Sequence, residues 1–543
     1  EGRFRGKDTV RSRSQMDGSA TADKAPVQPA HPARRTTRSD SSRIRAQLTP
    51  DADQIVIALV GLPARGKSFI SKKLERYLTW RGDAVRIFNV GERRREKLQT
   101  NGTFHDASFF SSANLGAREQ LAQGVLLEML DWLRLKDGVT RIAIFDATNS
   151  RVSRRKAVRD TIAEKLSTCK LLFIESVCDE AHTIERNLLQ KVRNSPDYRK
   201  MNEEDALSDL RLRISEYESQ YESISPGENV AYIKLFNLSS QLHLNHIYGR
   251  AAKSLVPYMM SIHIGRRPIF LVRAAHVHGA GTPVVSSCEP FVFGGEETDA
   301  PVRDTSPVPE RGPRADSQPV VVARSAELSE EGLLFAQLLG EFCREASGLF
   351  GTSEDGEADE GDGGAADEGA CAVFTSTLPR AVETASFVRA AGGNRATSAL
   401  NPIDKGVCYG LTDADFQARM PEEYARWRQD IRHQRYLGGE SYHDLIQRVE
   451  PLLMELEQQT RPVLVVSHLS TLQVLYGYFT GCSVEVALKA DFPNNHVMQI
   501  TPCSGKSMWE SKLVPLDPCT GLSSSLASGG RLTAESMPPE PIS

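Results

Sequence analysis

Cysteine is sparse and scattered: the nine in this 543-residue sequence form no Cys-x-x-Cys pair and no cluster with histidine. That pattern excludes a disulfide framework and a structural zinc site, and it suits a reducing compartment. No apolar run approaches the roughly eighteen residues needed to cross a bilayer. No stretch has the apolar centre of a secretory signal, and residues 1–50 are basic and polar. Charge of one sign is also missing in bulk. The 66 Lys and Arg stand against 70 Asp and Glu, a net charge of −4, which argues against a nucleic-acid partner. Aromatic residues make up 7% of the chain, and residues 1–50 hold one of them, Phe4, too few to stack against bases. The expectation is a soluble cytoplasmic protein with neither a membrane nor a nucleic-acid partner.

What is present reads as two domains with tails, since one hydrophobic core does not serve a chain of this length. Residues 1–50 hold eleven Lys/Arg against five Asp/Glu and are read as a disordered leader. Within them, Arg34-Arg35-Thr36-Thr37-Arg38-Ser39 has the basic context that protein kinases favour, which names such enzymes as candidate partners. Order is expected to begin at Gln54–Val60, an apolar run rich in β-branched residues and stopped by Gly61. Similar runs recur at Ala84–Val90, Arg141–Phe145 and Leu171–Val177, with helical stretches between them. One such stretch is 67–81, where Ile70, Leu74, Tyr77 and Leu78 share a face. This alternation implies an α/β fold with a mainly parallel, doubly wound sheet over residues 51–265. A second α/β set spans 266–516, with strands at Pro268–Arg273, Ala372–Ser376 and Val463–His468. It is interrupted by Pro/Gly/Ser-rich residues 279–325 and by acidic residues 351–370, with eight Asp/Glu and no Lys or Arg. Residues 517–543 read as a disordered tail.

Gly61-Leu62-Pro63-Ala64-Arg65-Gly66-Lys67-Ser68 fits G-x-x-x-x-G-K-[S/T], after an apolar strand and before an amphipathic helix. The glycines let the backbone curl around a phosphate, and the helix N-terminus adds a positive field. Lys67 would reach the β/γ-phosphates of ATP, and the Ser68 hydroxyl would hold Mg²⁺. Asp146, at the end of the apolar run Arg141–Phe145, stands where the sheet meets solvent. It would organise the Mg²⁺ or take a proton from the acceptor hydroxyl. Arg93-Arg94-Arg95, Arg118 and Arg154-Arg155 lie on the connecting segments, which points to an acceptor that itself carries phosphate. The chemistry is that of a kinase for a small phosphorylated molecule. A non-catalytic sugar-phosphate scaffold would fit a damaged P-loop, and this one is intact.

Gly61–Ser68, Phe88-Asn-Val-Gly91-Glu-Arg-Arg-Arg-Glu96, Phe145-Asp-Ala-Thr-Asn149, Phe173-Ile-Glu-Ser-Val-Cys-Asp179 and Ser195-Pro-Asp-Tyr198 closely resemble the bifunctional 6-phosphofructo-2-kinase/fructose-2,6-bisphosphatase family over residues 54–503. The resemblance implies an ATP loop at residues 61–69, ending on Phe69, with Asn187 and Lys191 completing the nucleotide site. It implies that fructose 6-phosphate is held by Arg94, Arg118, Thr148, Arg154, Arg213 and Tyr217. It places Asp146 and Cys178 at positions treated as active-site residues, and makes a homodimer the expected assembly. Some members place the counterpart of Lys191 one residue later, at Val192 here. The segment around Phe109-Phe110 is about two residues short before Arg118.

Residues 268–503 resemble the histidine-phosphatase fold, whose mark is a strand followed by Arg-His-Gly, the histidine taking up the phosphoryl group. Here the strand runs into Arg273-Ala274-Ala275-His276, and alanine has no lone pair with which to attack phosphorus. Pro402 stands in place of the family's acid and has no proton to give a leaving alkoxide. Asp413, Trp427, Ile431, Leu469 and Gln473 replace a tyrosine, an arginine, a lysine, a glutamine and an arginine. Arg273, Arg380, Tyr442 and His468 survive. His276 and His278 are the nearby histidines, displaced by two and four residues along the chain. The expectation is an active kinase joined to a phosphatase-like half that has lost its chemistry. The rival is a working bifunctional enzyme.

Overall fold

Alternate residues of the buried parallel strands serve two different cores. In strand β1 (Gln54–Val60), Ile57 and Leu59 face one apolar cluster, while Val56, Ala58 and Val60 face another. This is the period of two expected of a strand covered on both faces, and it explains the run of β-branched residues. The computed structural model describes residues 54–100, 114–135, 140–238, 241–247, 249–262, 267–277, 327–351, 371–502 and 509–516. The basic leader, the Phe109-Phe110 segment, His278, the 279–325 insertion, the acidic insertion beyond Gly351 and residues 517–543 lie outside the described residues.

The first sheet is built from β1, β2 (Ala84–Asn89), β3 (Arg141–Asp146), β4 (Lys170–Val177), β5 (Ala231–Phe236) and β6 (Gln241–Asn245), in the order β2-β3-β1-β4-β5-β6. All neighbours are parallel except β5 and β6. Its helices are α1 (Lys67–Arg81), α2 (Val90–Thr100), α3 (Leu115–Leu133), α4 (Val152–Lys165), α5 (Ala181–Asn194), α6 (Glu203–Glu218) and α7 (Arg250–Ser261). The second sheet contains β7 (Ile269–Arg273), β8 (Ala372–Thr375), β9 (Arg395–Ala396), β10 (Val463–Ser467), β11 (His496–Pro502) and β12 (Trp509–Pro515), in the order β12-β11-β7-β10-β8-β9. Its helices include α8 (Glu330–Gly351), α9 (Pro379–Thr384), α10 (Asp413–Arg419), α11 (Pro421–Gln429), α12 (Tyr442–Gln458) and α13 (Leu469–Thr480).

The α/β class and the parallel strands agree with the sequence reading, with two differences. Val90 opens α2 instead of closing β2, and antiparallel pairing brings in β6, β11 and β12, which the sequence pattern does not foresee.

The two sheets are not separately cored. One continuous apolar cluster takes Ile57, Ile144, Ile174 and Ile233 from the first sheet and Ile269, Leu271, Val465 and Phe374 from the second. Helix α1 lies within it: Ile70, Leu74, Tyr77, Leu78 and Trp80 are each at most 1% exposed. The expected apolar stripe is therefore buried, but so are Lys73 and Arg76, because the second half covers the helix where solvent would otherwise be. The Trp80 indole donates to the Val474 carbonyl on α13 at 2.9 Å and meets the Tyr478 ring edge-on at 5.7 Å.

Trp80→Ala is expected to destabilise the full chain by about 3–5 kcal/mol in urea unfolding. Leu212→Ala, at a side chain 68% exposed, should stay within about 0.5 kcal/mol of the parent.

Candidate active site

The loop between β1 and α1 depends on backbone shapes that side chains resist. At Gly61 φ is +139°, and an added Cβ would lie 2.6 Å from the Ser176 carbonyl oxygen. Gly66, the residue before α1, has φ +80°. The loop is tied down on both sides: Gly61 donates its N–H to the Thr148 carbonyl at 3.0 Å, and Ser176 donates its hydroxyl to the Arg65 carbonyl. Asn149, at φ +43°, donates its side-chain amide to the Leu59 carbonyl at 2.7 Å. The ends of β1, β3 and β4 are thereby stitched into one edge, where ligands of open parallel sheets collect.

A cleft of about 840 Å³ opens over this edge, lined by twelve Lys/Arg side chains against four Asp/Glu. Pro63, Ala64, Gly66, Lys67, Ser68 and Phe69 line one side of it. Gly61 and Leu62 support the loop from outside the lining, and Arg65 turns away to donate to Glu218 at 3.4 Å. The Lys67 ammonium donates to the Leu62 carbonyl at 2.5 Å. Ser68 donates its hydroxyl to Asp146 Oδ2 at 2.9 Å, and Asn89 donates its amide to the same oxygen at 2.6 Å. Asn187 and Lys191 also line the cleft, while Val192 is buried in the cluster that joins α5 to α6, so the lysine at 191 is the one that faces it.

The cleft lining also contains Arg94, Arg118, Thr148, Arg154, Arg213 and Tyr217, the six residues that the resemblance implies for the sugar phosphate. Arg94, only 5% exposed, pairs with Asp197, and Arg213 reaches the same carboxylate at 3.6 Å. Burial would raise the Asp197 carboxyl, but the two guanidiniums more than offset it and hold it below the usual range. The Arg118 guanidinium lies 5.5 Å from the Tyr217 ring centroid, and Arg154 pairs with Glu119.

Not every candidate converges. Arg155 is 1% exposed but pairs with Glu228 at 2.7 Å and donates to the Glu222 carbonyl, so it braces the fold. Arg93 is directed to Glu96 and Glu128. Cys178 is half-buried beyond the end of β4 and outside the cleft lining, and burial pushes its thiol pKa up. Asn89, Arg95, Arg151, Arg186 and Asp197 line the cleft as well. Of these, the sequence pattern singles out only Arg95, within the 93–95 cluster. The Ser195-Pro-Asp-Tyr198 motif is the available signal for Asp197.

Among the described residues no three His, Cys, Asp or Glu side chains gather as a metal cage. Ser68 and Asp146 nevertheless fit Mg²⁺, which takes one or two protein oxygens and completes its shell with phosphates and water.

In the second half, Ala274 at the end of β7 is buried and donates its N–H to the Ser467 carbonyl at 2.8 Å. His468 lies 2.8 Å from Ser376 Oγ through Nε2, and Arg380 donates to its Nδ1 at 3.0 Å. Burial, then Arg380 and Arg273, lower its pKa to about 3, so the ring is neutral. Arg273 donates to the Phe492 carbonyl at 3.4 Å. The Pro402 carbonyl accepts from Arg448, and Tyr442 is buried in the shared core. Trp427 sits among Phe416, Tyr424 and Tyr436, with Ile431 packed against the same core. Gln473 donates to the Leu488 and Ala490 carbonyls at 2.8 and 3.0 Å.

Burial, reinforced by neighbouring cations, lowers Lys67 from 10.5 to about 7 and Lys191 to about 8. The unfolded chain therefore binds more protons than the folded one between these values and 10.5. Folding stability from these lysines is least near neutral pH and grows as the pH rises through that window. An anionic phosphate ligand restores both charges. Binding of an ATP analogue at pH 8 should take up on the order of one proton per site. The check is how the calorimetric heat varies with buffer ionisation enthalpy; no uptake, or proton release, would contradict the assignment.

Residues 44–266 match the family model described as 6-phosphofructo-2-kinase, and residues 364–512 match that of the histidine phosphatase superfamily, branch 1. The chain is 33% identical over 453 residues to 6-phosphofructo-2-kinase/fructose-2,6-bisphosphatase 3 of Rattus norvegicus, covering 82% of this chain and 70% of that one. It is 33% identical over 457 residues to the 6-phosphofructo-2-kinase/fructose-2,6-bisphosphatase of Caenorhabditis elegans, covering 82% and 86%. A two-sheet α/β chain with a phosphate loop in one half and a histidine-phosphatase region in the other, related over four-fifths of its length to such proteins, belongs to the 6-phosphofructo-2-kinase/fructose-2,6-bisphosphatase family.

Proposed function

We propose that this protein transfers the γ-phosphoryl group of ATP to the 2-hydroxyl of fructose 6-phosphate, and that its second half no longer hydrolyses the product. The observation that carries the kinase reading is one cleft lined by two sets of anion-holding side chains: Lys67, Ser68, Asp146 and Lys191, and Arg94, Arg118, Arg154 and Arg213. The first group suits a nucleotide triphosphate, and the second suits an acceptor that already bears a phosphate. Mg²⁺, when bound, would screen the phosphate oxygens. Ser68 and Asp146 would hold it, while Lys67 and Lys191 neutralise charge on the transferring group. Thr148 and Tyr217 would orient the sugar between the two sets.

Loss of the phosphatase is supported by what the second half lacks. Ala274 cannot form a bond to phosphorus, and Pro402 has no acidic proton. Trp427, Ile431 and Gln473 are engaged in packing or in bonds to the backbone.

Incubation with ATP and fructose 6-phosphate should yield fructose 2,6-bisphosphate, with the new phosphate located by ³¹P NMR. Lys67→Met and Asp146→Ala should each lower kcat by about a hundredfold or more while leaving the protein folded. Arg94→Ala and Arg213→Ala should raise KM for fructose 6-phosphate about tenfold and that for ATP much less. Equal rises in both would contradict the division of the cleft.

Labelled fructose 2,6-bisphosphate should leave no acid-labile phosphohistidine on the protein. Ala274→His alone should not restore turnover, because the acid and most of the phosphate grip would still be missing. A phosphorylated histidine in the parent protein would establish the bifunctional alternative.

A further inference from the structure

Helix α1 begins at Lys67 and Ser68, and no side chain caps its start. Its placement depends on the loop contacts described above and on what its later turns touch. Those turns are gripped by the second half of the chain. Lys73 donates to both oxygens of Glu457 on α12 at 2.9 Å, with the two side chains 4% and 1% exposed. Arg76 donates to the Phe479 carbonyl at 3.3 Å, Tyr77 donates to Glu450, and Arg432 donates to the Trp80 carbonyl at 2.7 Å.

Glu457 is itself held from behind. Tyr478 donates its hydroxyl to the carboxylate, and Arg267 donates to the Leu456 and Glu457 carbonyls at the end of α12. Tyr258, beside Tyr478 at 3.1 Å, donates to the Lys73 carbonyl at 2.9 Å. Burial would raise the Glu457 carboxyl, but the Lys73 ammonium and the Tyr478 hydroxyl more than offset it and keep the carboxylate charged. Lys73 also lines the cleft, with Nζ 5.9 Å from the Phe69 ring centroid and 5.8 Å from that of Trp509.

A fully buried ion pair is a weak device for stability, because desolvation of two charges consumes most of the attraction between them. Fixing a register is the better attested use. We propose that Glu457 is a positioning residue for phosphoryl transfer. Through Lys73 it fixes the placement of α1, and with it the Lys67 and Ser68 side chains, so the phosphatase-like half acts as the seat of the kinase phosphate loop. The inference rests on the kinase reading above.

The test uses the full chain. Glu457→Gln and Lys73→Met should each lower kcat/KM for ATP about tenfold and raise the Kd of a fluorescent ATP analogue, with KM for fructose 6-phosphate within about twofold. Both should also lower Tm, since each leaves a buried charge without its partner. The double variant Lys73→Met/Glu457→Met removes both charges, so Tm should return towards that of the parent while the ATP defect remains. Glu457→Asp, which keeps the charge, should lie between parent and Glu457→Gln; it and the double variant carry the test if the single variants do not fold. Parent-like kcat/KM and analogue Kd in the double variant and in Glu457→Asp would overturn the proposal and leave the pair a packing device. A parent protein that transfers no phosphate to fructose 6-phosphate would overturn the kinase reading instead. The analogue Kd would then still decide the role of Glu457.

Discussion

Helix α1 carries two duties that constrain each other. Its first turn presents Lys67 and Ser68 to the cleft, and the turns beyond are buried in a core drawn from both sheets. A phosphate loop gains its power from fixed backbone donors and a fixed ammonium, so its value depends on the rigidity of the helix behind it. Here that rigidity comes from groups several hundred residues away: the Glu457 carboxylate and the Val474 and Phe479 carbonyls all accept hydrogen bonds from α1. The stacked Tyr77–Tyr258 rings, 4.0 Å apart and nearly parallel, bind α7 to the same assembly.

If the second half has lost its chemistry, as proposed above, this dependence would give a reason for it to remain. Its two layers of helix on the second sheet are needed to complete the shared core, and that need concerns shape and volume, not nucleophilicity. On the proposed reading, positions released from holding phosphate would be open to packing. Trp427 now fills an aromatic cluster, and Gln473 satisfies two loop carbonyls. His468, one of the residues that survive from the family's phosphatase pattern, is held neutral between Ser376 and Arg380. Buried polar groups keep hydrogen-bond partners, and His468 has one at each ring nitrogen.

Much of the fold was legible because a parallel strand covered on both faces writes a continuous apolar run. Gln54–Val60, Arg141–Asp146 and Val463–Ser467 emerge within a residue of their reading. The antiparallel strands were not, since Gln241–Asn245 is half exposed and His496–Pro502 ends in proline. The phosphate loop was legible because Gly61 and Gly66 adopt backbone angles that other residues resist. Runs of arginine were less informative. Successive helical positions point about 100° apart, so Arg154 faces the cleft while Arg155 braces Glu228, and Arg94 faces it while Arg93 does not. The shared core had no local signal at all. Nothing around Lys73 or Glu457 announces a partner 384 residues away.

The cleft and the core also pull against each other energetically. Twelve cationic side chains line one cavity, and burial, with the neighbouring cations adding to it, lowers Lys67 to about 7 and Lys191 to about 8, so their charged forms are held at a cost. On the proposed function, phosphate-bearing ligands would relieve that cost, and each would stabilise the folded chain by mass action. A small domain has little reserve for a cost of this kind. Burying α1 in a core that spans both sheets supplies the reserve, and places it directly beneath the residues that need it. The helix that presents Lys67 and Ser68 to the cleft is thus packed on side chains of both halves of the chain.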